Sequence, residues 1–202
     1  YGKLMKAYYA KQDAEKLSGK GDTSQKLTLM KTSADSLKKS ADALNDSSLW
    51  EKKKIKKKDE KTGEEIEVED YDWDKITKAV KSFVEDYNDV VKEAGESNTK
   101  DVLRNASWMT GMTDKNSNML AKIGITIGKG NKLELDEDAL KQADISSLKT
   151  VFTGYNSFVS KISQKATCIS NAANRASATY TNNGTYSKTD SSLTSSKIDK
   201  EV

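Results

Sequence analysis

The chain has 202 residues, the length of one domain or of one domain with a small appendage. It carries 34 basic and 31 acidic residues for a net charge of +3, is 35 % hydrophobic, and has one cysteine, no histidine and no proline. That composition removes histidine-dependent hydrolytic and metal chemistry, an intramolecular disulfide framework and a cysteine-built zinc site. Absent proline suits long uninterrupted helices. No apolar run approaches the roughly 20 residues that a membrane span requires. The near-balanced charge gives no general argument for nucleic-acid binding, and the scarcity of cysteine is compatible with the cytosol or with export without disulfides. The chain begins at Tyr1 rather than at methionine, which suggests a fragment of a longer protein. The first expectation is an elongated helical protein, not an enzyme.

Residues 1–17 predict a short helix with Leu4, Tyr8 and Lys11 along one side, stopped by the glycine-bearing stretch 18–21. Asp22, Thr23 and Ser24 then offer N-caps, because their oxygens can accept orphan backbone N–H bonds. In the helix that follows, Leu27, Met30, Ala34, Leu37, Ala41 and Leu44 are spaced 3, 4, 3, 4, 3. That is the a/d pattern of a seam facing a partner helix. After Trp73 comes a second run: Ile76, Val80, Phe83, Tyr87, Val90 and Ala94. A third holds Phe158, Ile162, Ala166, Ile169, Ala173, Ala176 and Tyr180. Three narrow stripes of similar length predict an intramolecular coiled-coil bundle rather than helices lying on a small globular core.

Between the first two runs, residues 51–61 hold seven lysines and residues 64–74 hold seven acids, with Thr62-Gly63 between them. Ile66 and Val68 share parity, as on a strand, so the segment 49–74 predicts a solvated hairpin with lysines opposite acids. A polybasic patch for nucleic acid or anionic lipid is the weaker reading, since the neighbouring acids would neutralise it. Residues 98–122 supply Val102, Leu103, Trp108, Met109, Met112, Met119 and Leu120 as irregular core filling, with Gly111 expected to divide two short helices. Next, Ile123, Ile125 and Ile127 share one face, as do Leu133 and Leu135, around a turn at 128–132: a hairpin with one buried side. Asp136, Glu137 and Asp138 start a helix through Leu140 and Gln142, and Ile145, Leu148, Val151 and Phe152 continue its apolar face to Gly154. Beyond Tyr180 the composition is that of a loop or weakly ordered tail.

No constellation supports catalysis. The acids at 136–138 follow the glycines rather than enclosing one, so capping explains them better than calcium binding. Gly128-Lys129-Gly130 lacks the rest of a phosphate loop. Cys168 lies next to seam residues with no histidine to activate it and reads as a small packing residue. Asn45, Asn105 and Asn183 head glycosylation tripeptides, a pattern common by chance.

Three blocks between about residues 76 and 173 carry a family resemblance: FVEDYNDVV (Phe83 to Val91), LAKIGITIGKGNKLELDEDALKQA (Leu120 to Ala143) and VFTG (Val151 to Gly154). In order and spacing they resemble the core of the bacterial flagellar filament-capping family, hook-associated protein 2. The resemblance implies a secreted, non-enzymatic part of the flagellum, exported without a cleaved signal, that oligomerises at the filament tip and helps flagellin fold into place. It also implies a core pairing helices from both chain ends. The positions it carries over, Phe83, Tyr87, Asn88, Ile123, Gly124, Ile125, Leu133, Leu135, Asp136 and Leu140, look structural. Family members usually have large outer domains inserted before this core; here 49–74 is the only candidate insertion.

The sequence therefore predicts a mainly α fold, an elongated antiparallel coiled-coil helical bundle with one or two small β-hairpins. Residues 1–180 form its core, with hairpins at 49–74 and 123–135, and 181–202 form a polar tail. The expected function is that of a filament cap or hook-associated relative, secreted to the flagellum or cell exterior. It would have no cofactor, metal, nucleic-acid partner or membrane span; its partners would be further copies of itself and flagellin or other hook-associated proteins. The alternative is a secreted or surface helical-bundle binding module, adhesin-like, presenting the 49–74 hairpin.

Overall fold

The computed structural model of the protein describes residues 21–58 and 65–179. The helix expected at 1–17, the turn at Thr62-Gly63, the seam position Tyr180 and the tail 181–202 lie outside the described residues. Among the described residues the fold is mainly helical, with two small antiparallel hairpins.

Helix α1 (Ser24–Asn45) starts where Thr23 accepts from the Lys26 amide at 3.3 Å, and buries Leu27, Met30, Ala34, Leu37, Ala41 and Leu44. A 3-10 turn (Ser47–Trp50) follows. Trp50 is fully buried, stacks on Phe152 with ring centroids 5.3 Å apart, and donates its indole N–H to the Leu44 carbonyl at 2.8 Å. One of the orphan carbonyls at the end of α1 is thereby satisfied. The segment expected as a solvated hairpin thus begins inside the core, and Tyr71 and Trp73 at its far end also pack against it.

Strands β1 (Lys53–Lys58) and β2 (Glu65–Asp70) pair with Lys54 opposite Glu69, Ile55 opposite Val68 and Lys56 opposite Glu67. Lysines stand across from acids as the charge segregation dictates. Helix α2 (Trp73–Glu96) is capped by Asp72, which accepts from the Lys75 amide. Its buried stripe has three rows, because Thr77, Val84 and Val91 flank the heptad positions. That width lets α2 pack on α1 and on other neighbours.

Helix α3 (Lys100–Lys115) runs unbroken through a buried Gly111. The expected division there is incorrect: one glycine costs a helix about 1 kcal/mol, and burial of this face outweighs it. The break falls instead at Asn116, whose side chain donates to the Met112 carbonyl at 2.8 Å, before the short α4 (Ser117–Ala121). Met109 is buried and Met112 and Met119 pack at the core edge, but Trp108 is 45 % exposed, its ring 4.3 Å from the Lys165 ammonium, and does not fill the core.

Strands β3 (Ile125–Ile127) and β4 (Leu133–Leu135) form the second hairpin, in the register Ile125–Leu135 and Ile127–Leu133. The chain then makes two helices rather than one continuous face: α5 (Glu137–Gln142) and α6 (Ile145–Phe152). Asp144 separates them and caps the second by accepting from the Ser147 amide. Finally α7 (Phe158–Thr179) returns along α1. Cys168 on α7 is exposed, not packed in the seam, since it is one residue and about 100° of helical turn from buried Ile169.

Helix α1 lies between α2 and α7 and is antiparallel to both. Its Asp35 and Asp42 pair with Ser170 and Ser163 of α7, while its Lys26 and Ser40 bond Glu96 and Asp86 of α2. Phe83 and Phe158 meet edge-on across α2 and α7, with centroids 6.3 Å apart.

Candidate functional site

The heptad residues fall in one core. Leu27, Met30, Leu37 and Leu44 of α1, Ile76, Val80, Phe83, Tyr87 and Val90 of α2, and Phe158, Ile162 and Ile169 of α7 are all buried. Alanines 34, 41, 94, 166 and 173 are buried among them, and Ala176 is half-buried.

A polar ladder flanks the seam between α1 and α7. Ser163 and Ser170, seven residues apart, donate to Asp42 and Asp35, also seven apart, at 2.6 Å each. Lys31 reaches Asp35 at 2.6 Å, and Lys38 reaches Asp42. Partial burial raises these carboxyl pKa values, but the lysine and serine hydrogen bonds outweigh it and hold both below the usual aspartate value. Half-exposed ion pairs contribute little by themselves. The matched seven-residue spacing does more, because slipping α1 against α7 by less than a heptad parts both pairs together.

The second array ties the β3–β4 hairpin to α2. Asn88 makes two bonds to one residue: its amide donates to the Leu133 carbonyl at 2.9 Å and its carbonyl accepts from the Leu133 N–H at 2.7 Å. The side chain thus stands in for a neighbouring strand. Beside it, buried Tyr87 donates to Thr113 at 2.9 Å, and Thr113 donates to the Met109 carbonyl. Burial drives the Tyr87 phenol pKa far upward, so it acts as a neutral donor.

Gly124 closes the far side of this block. Its φ is +80°, and a Cβ there would lie 2.6 Å from the Asp136 carbonyl oxygen and 2.9 Å from the Leu140 nitrogen. The Gly124 carbonyl accepts from the Asp136 N–H at 2.8 Å, and the Asp136 carboxylate caps α5 through the amides of Asp138 and Ala139. Ile123, Ile125, Leu133 and Leu140 are buried and Leu135 half-buried. The sequence Gly-Ile followed by Leu-Glu-Leu-Asp is therefore a closed unit, in which only glycine fits the first position.

A third contact has no local sequence signal. Asp22 accepts from Ser97 Oγ at 2.6 Å, from the amides of Asn98 and Thr99, and from Thr99 Oγ1 at 2.7 Å. Burial pushes its carboxyl pKa up, but these donors outweigh the penalty and hold it below the ordinary value. Instead of capping α1, as its position beside Thr23 suggests, it holds the α2–α3 corner, which lies at the same end of the bundle because α1 and α2 are antiparallel. Trp50 and the Asp–Ser ladder were likewise missed in the sequence. The ladder had a readable signal in its seven-residue repeats; Asp22 had none, since its partners lie 75 residues or more away.

Among the described residues no group of three acidic, cysteine or histidine side chains is placed to hold a metal ion, and no helix is long and apolar enough to cross a membrane. The singled-out polar groups join one element to another. They hold the helices and the second hairpin of a helical scaffold in register.

The family model for the flagellar hook-associated protein 2 C-terminus matches residues 97–201, just over half of the chain, and the chain belongs to that family. The blocks Leu120 to Ala143 and Val151 to Gly154 lie inside the match, and Asn88 on α2 is bonded directly to the first of them. Comparison with curated proteins and with solved structures gives no match.

Proposed function

We propose that the chain is a non-enzymatic structural component of the bacterial flagellum, a filament cap or hook-associated relative, exported to the cell exterior. It acts by self-association and by contact with flagellin or other hook-associated proteins. The observation that carries this reading is the family match over residues 97–201. The geometry supports it, because the side chains nearest the matched blocks position backbone rather than converge on a substrate. In this reading residues 1–180 are the bundle core and 49–74 its insertion. Coiled-coil packing along the seams gives stiffness, while Asn88, Gly124 and Asp136 fix the 123–135 hairpin.

Deleting the gene in its own bacterium tests the proposal. If the chain caps the filament and helps flagellin into place, the deletion strain should shed unpolymerised flagellin into the medium, and the full chain restored in trans should return it to filaments. Normal filaments in the deletion strain would reject the reading and favour a surface binding module.

A further inference from the structure

The β1–β2 hairpin is a two-stranded sheet that no third strand joins among the described residues. Such a hairpin is marginal in water unless more strands or a packing surface join it. Its two faces differ. Lys54 and Lys56 lie opposite Glu69 and Glu67 on one face, while Ile55, Val68 and Ile66 share the other. Ile66 is 41 % exposed, and neither Ile55 nor Val68 belongs to the bundle core. Ile55 and Val68 are half-buried and Lys57 stands opposite Ile66, so this face carries a short apolar cluster with Ile66 its exposed end, between two strand edges that no third strand joins among the described residues.

The edges also differ in charge. One is KKIKKK and the other EIEVED. Setting β1 against β1, or β2 against β2, places like charges directly opposite, which is unfavourable. Setting β1 of one molecule against β2 of another places lysines opposite acids and continues the antiparallel alternation. Lysine on an edge strand usually protects against association; here it excludes only symmetric association.

We propose that the hairpin is a head-to-tail docking edge for a second copy of this chain, the basic β1 edge of one molecule adding to the acidic β2 edge of the next. Each copy keeps one edge of each sign free, so the contact is heterologous and repeats around a ring or along a filament. The inter-copy sheet extends the cluster of Ile55, Ile66 and Val68 from one molecule to the next. This inference rests on the self-association in the functional reading and names the surface that performs it.

The test uses the full chain with Cys168, the sole cysteine, changed to Ser. A Lys56→Cys variant is mixed in turn with Glu65→Cys, Glu67→Cys and Glu69→Cys variants and oxidised. The expected result is a disulfide-linked heterodimer for at least one mixture and none for Lys56→Cys alone. In parallel, sedimentation of the wild type should show association weakened by about tenfold or more between about 0.1 M and about 1 M salt, as screening shortens from about 10 Å to about 3 Å. Replacing residues 53–70 by a short glycine-serine linker should abolish association and keep the helical circular dichroism. Oligomers that survive the replacement, or that form no mixed cross-link, overturn the docking edge and leave self-association standing. A wild type that stays monomeric in both salts overturns it too, whereas the cap reading is decided separately by flagellin retention.

Discussion

Replacing Asn88 gives the sharpest test of how the matched block is held. Asn88→Ala removes two hydrogen bonds, of 2.9 and 2.7 Å, and strands both the N–H and the carbonyl of Leu133 at the edge of β4. A typical bond contributes about 1 kcal/mol net, and a buried group left unpaired costs about 1–3 kcal/mol. Leu133 is buried but Asn88 only half so, and water will recover part of the loss. The expected destabilisation is about 2–4 kcal/mol. In urea unfolding followed by circular dichroism, with a slope of about 2 kcal/mol/M, the midpoint falls by about 1–2 M with the slope unchanged. Asn88→Asp should fall between wild type and alanine. It keeps the acceptor for the Leu133 N–H but sets a carboxylate oxygen against the Leu133 carbonyl. Its penalty relative to wild type should shrink in acid, where the protonated carboxyl can donate again. A midpoint shift for Asn88→Ala equivalent to less than about 0.5 kcal/mol, the scatter of ordinary surface substitutions, would refute the view that this side chain anchors the hairpin.

Gly124→Ala combines a positive φ with a 2.6 Å approach to backbone and should cost at least about 3 kcal/mol, read as a lowered melting temperature. Trp50→Phe keeps a ring on Phe152 but loses the bond to the Leu44 carbonyl, for about 1 kcal/mol, whereas Trp50→Ala leaves a cavity and costs about 3–5 kcal/mol in the same urea assay. Thr77 Oγ1 is buried without a hydrogen-bond partner, so Thr77→Val should be neutral or raise stability by up to about 1 kcal/mol. The carboxyls of Asp22, Asp35 and Asp42 titrate below their unfolded value of 3.8. Their stabilisation is therefore fully present above pH 3.8 and is lost as pH falls through the lowered folded values. Urea midpoints measured against pH should fall in that acid range, and fall less steeply in Asp22→Asn.

Periodicity made the helices legible. Each seam repeats one kind of residue at 3 and 4, and burial follows that repeat from Leu27 to Leu44 and from Ile76 to Ala94. The charged hairpin was legible for a similar reason, since lysine and acid runs of equal length favour one another across a turn. Positions decided by a single rotation or a distant partner were not. Trp108 and Met109 are neighbours about 100° apart on α3, and only Met109 faces the core. Gly111 has a helix-breaking propensity that tertiary burial overrides, and Asn116 ends the helix through its own side chain. Asp22 has the local appearance of an N-cap but instead ties the loop between α2 and α3 to the start of α1. The matched block lies between these cases: its Gly-Ile and Leu-Glu-Leu-Asp residues were readable, while their bond to Asn88 required the fold.

The most direct measurement is immunogold electron microscopy of intact cells, using antibody against the purified chain. The proposed role as a filament cap predicts label at the distal ends of filaments and none along their length. Label spread over the cell surface, or absent from filaments, would contradict it.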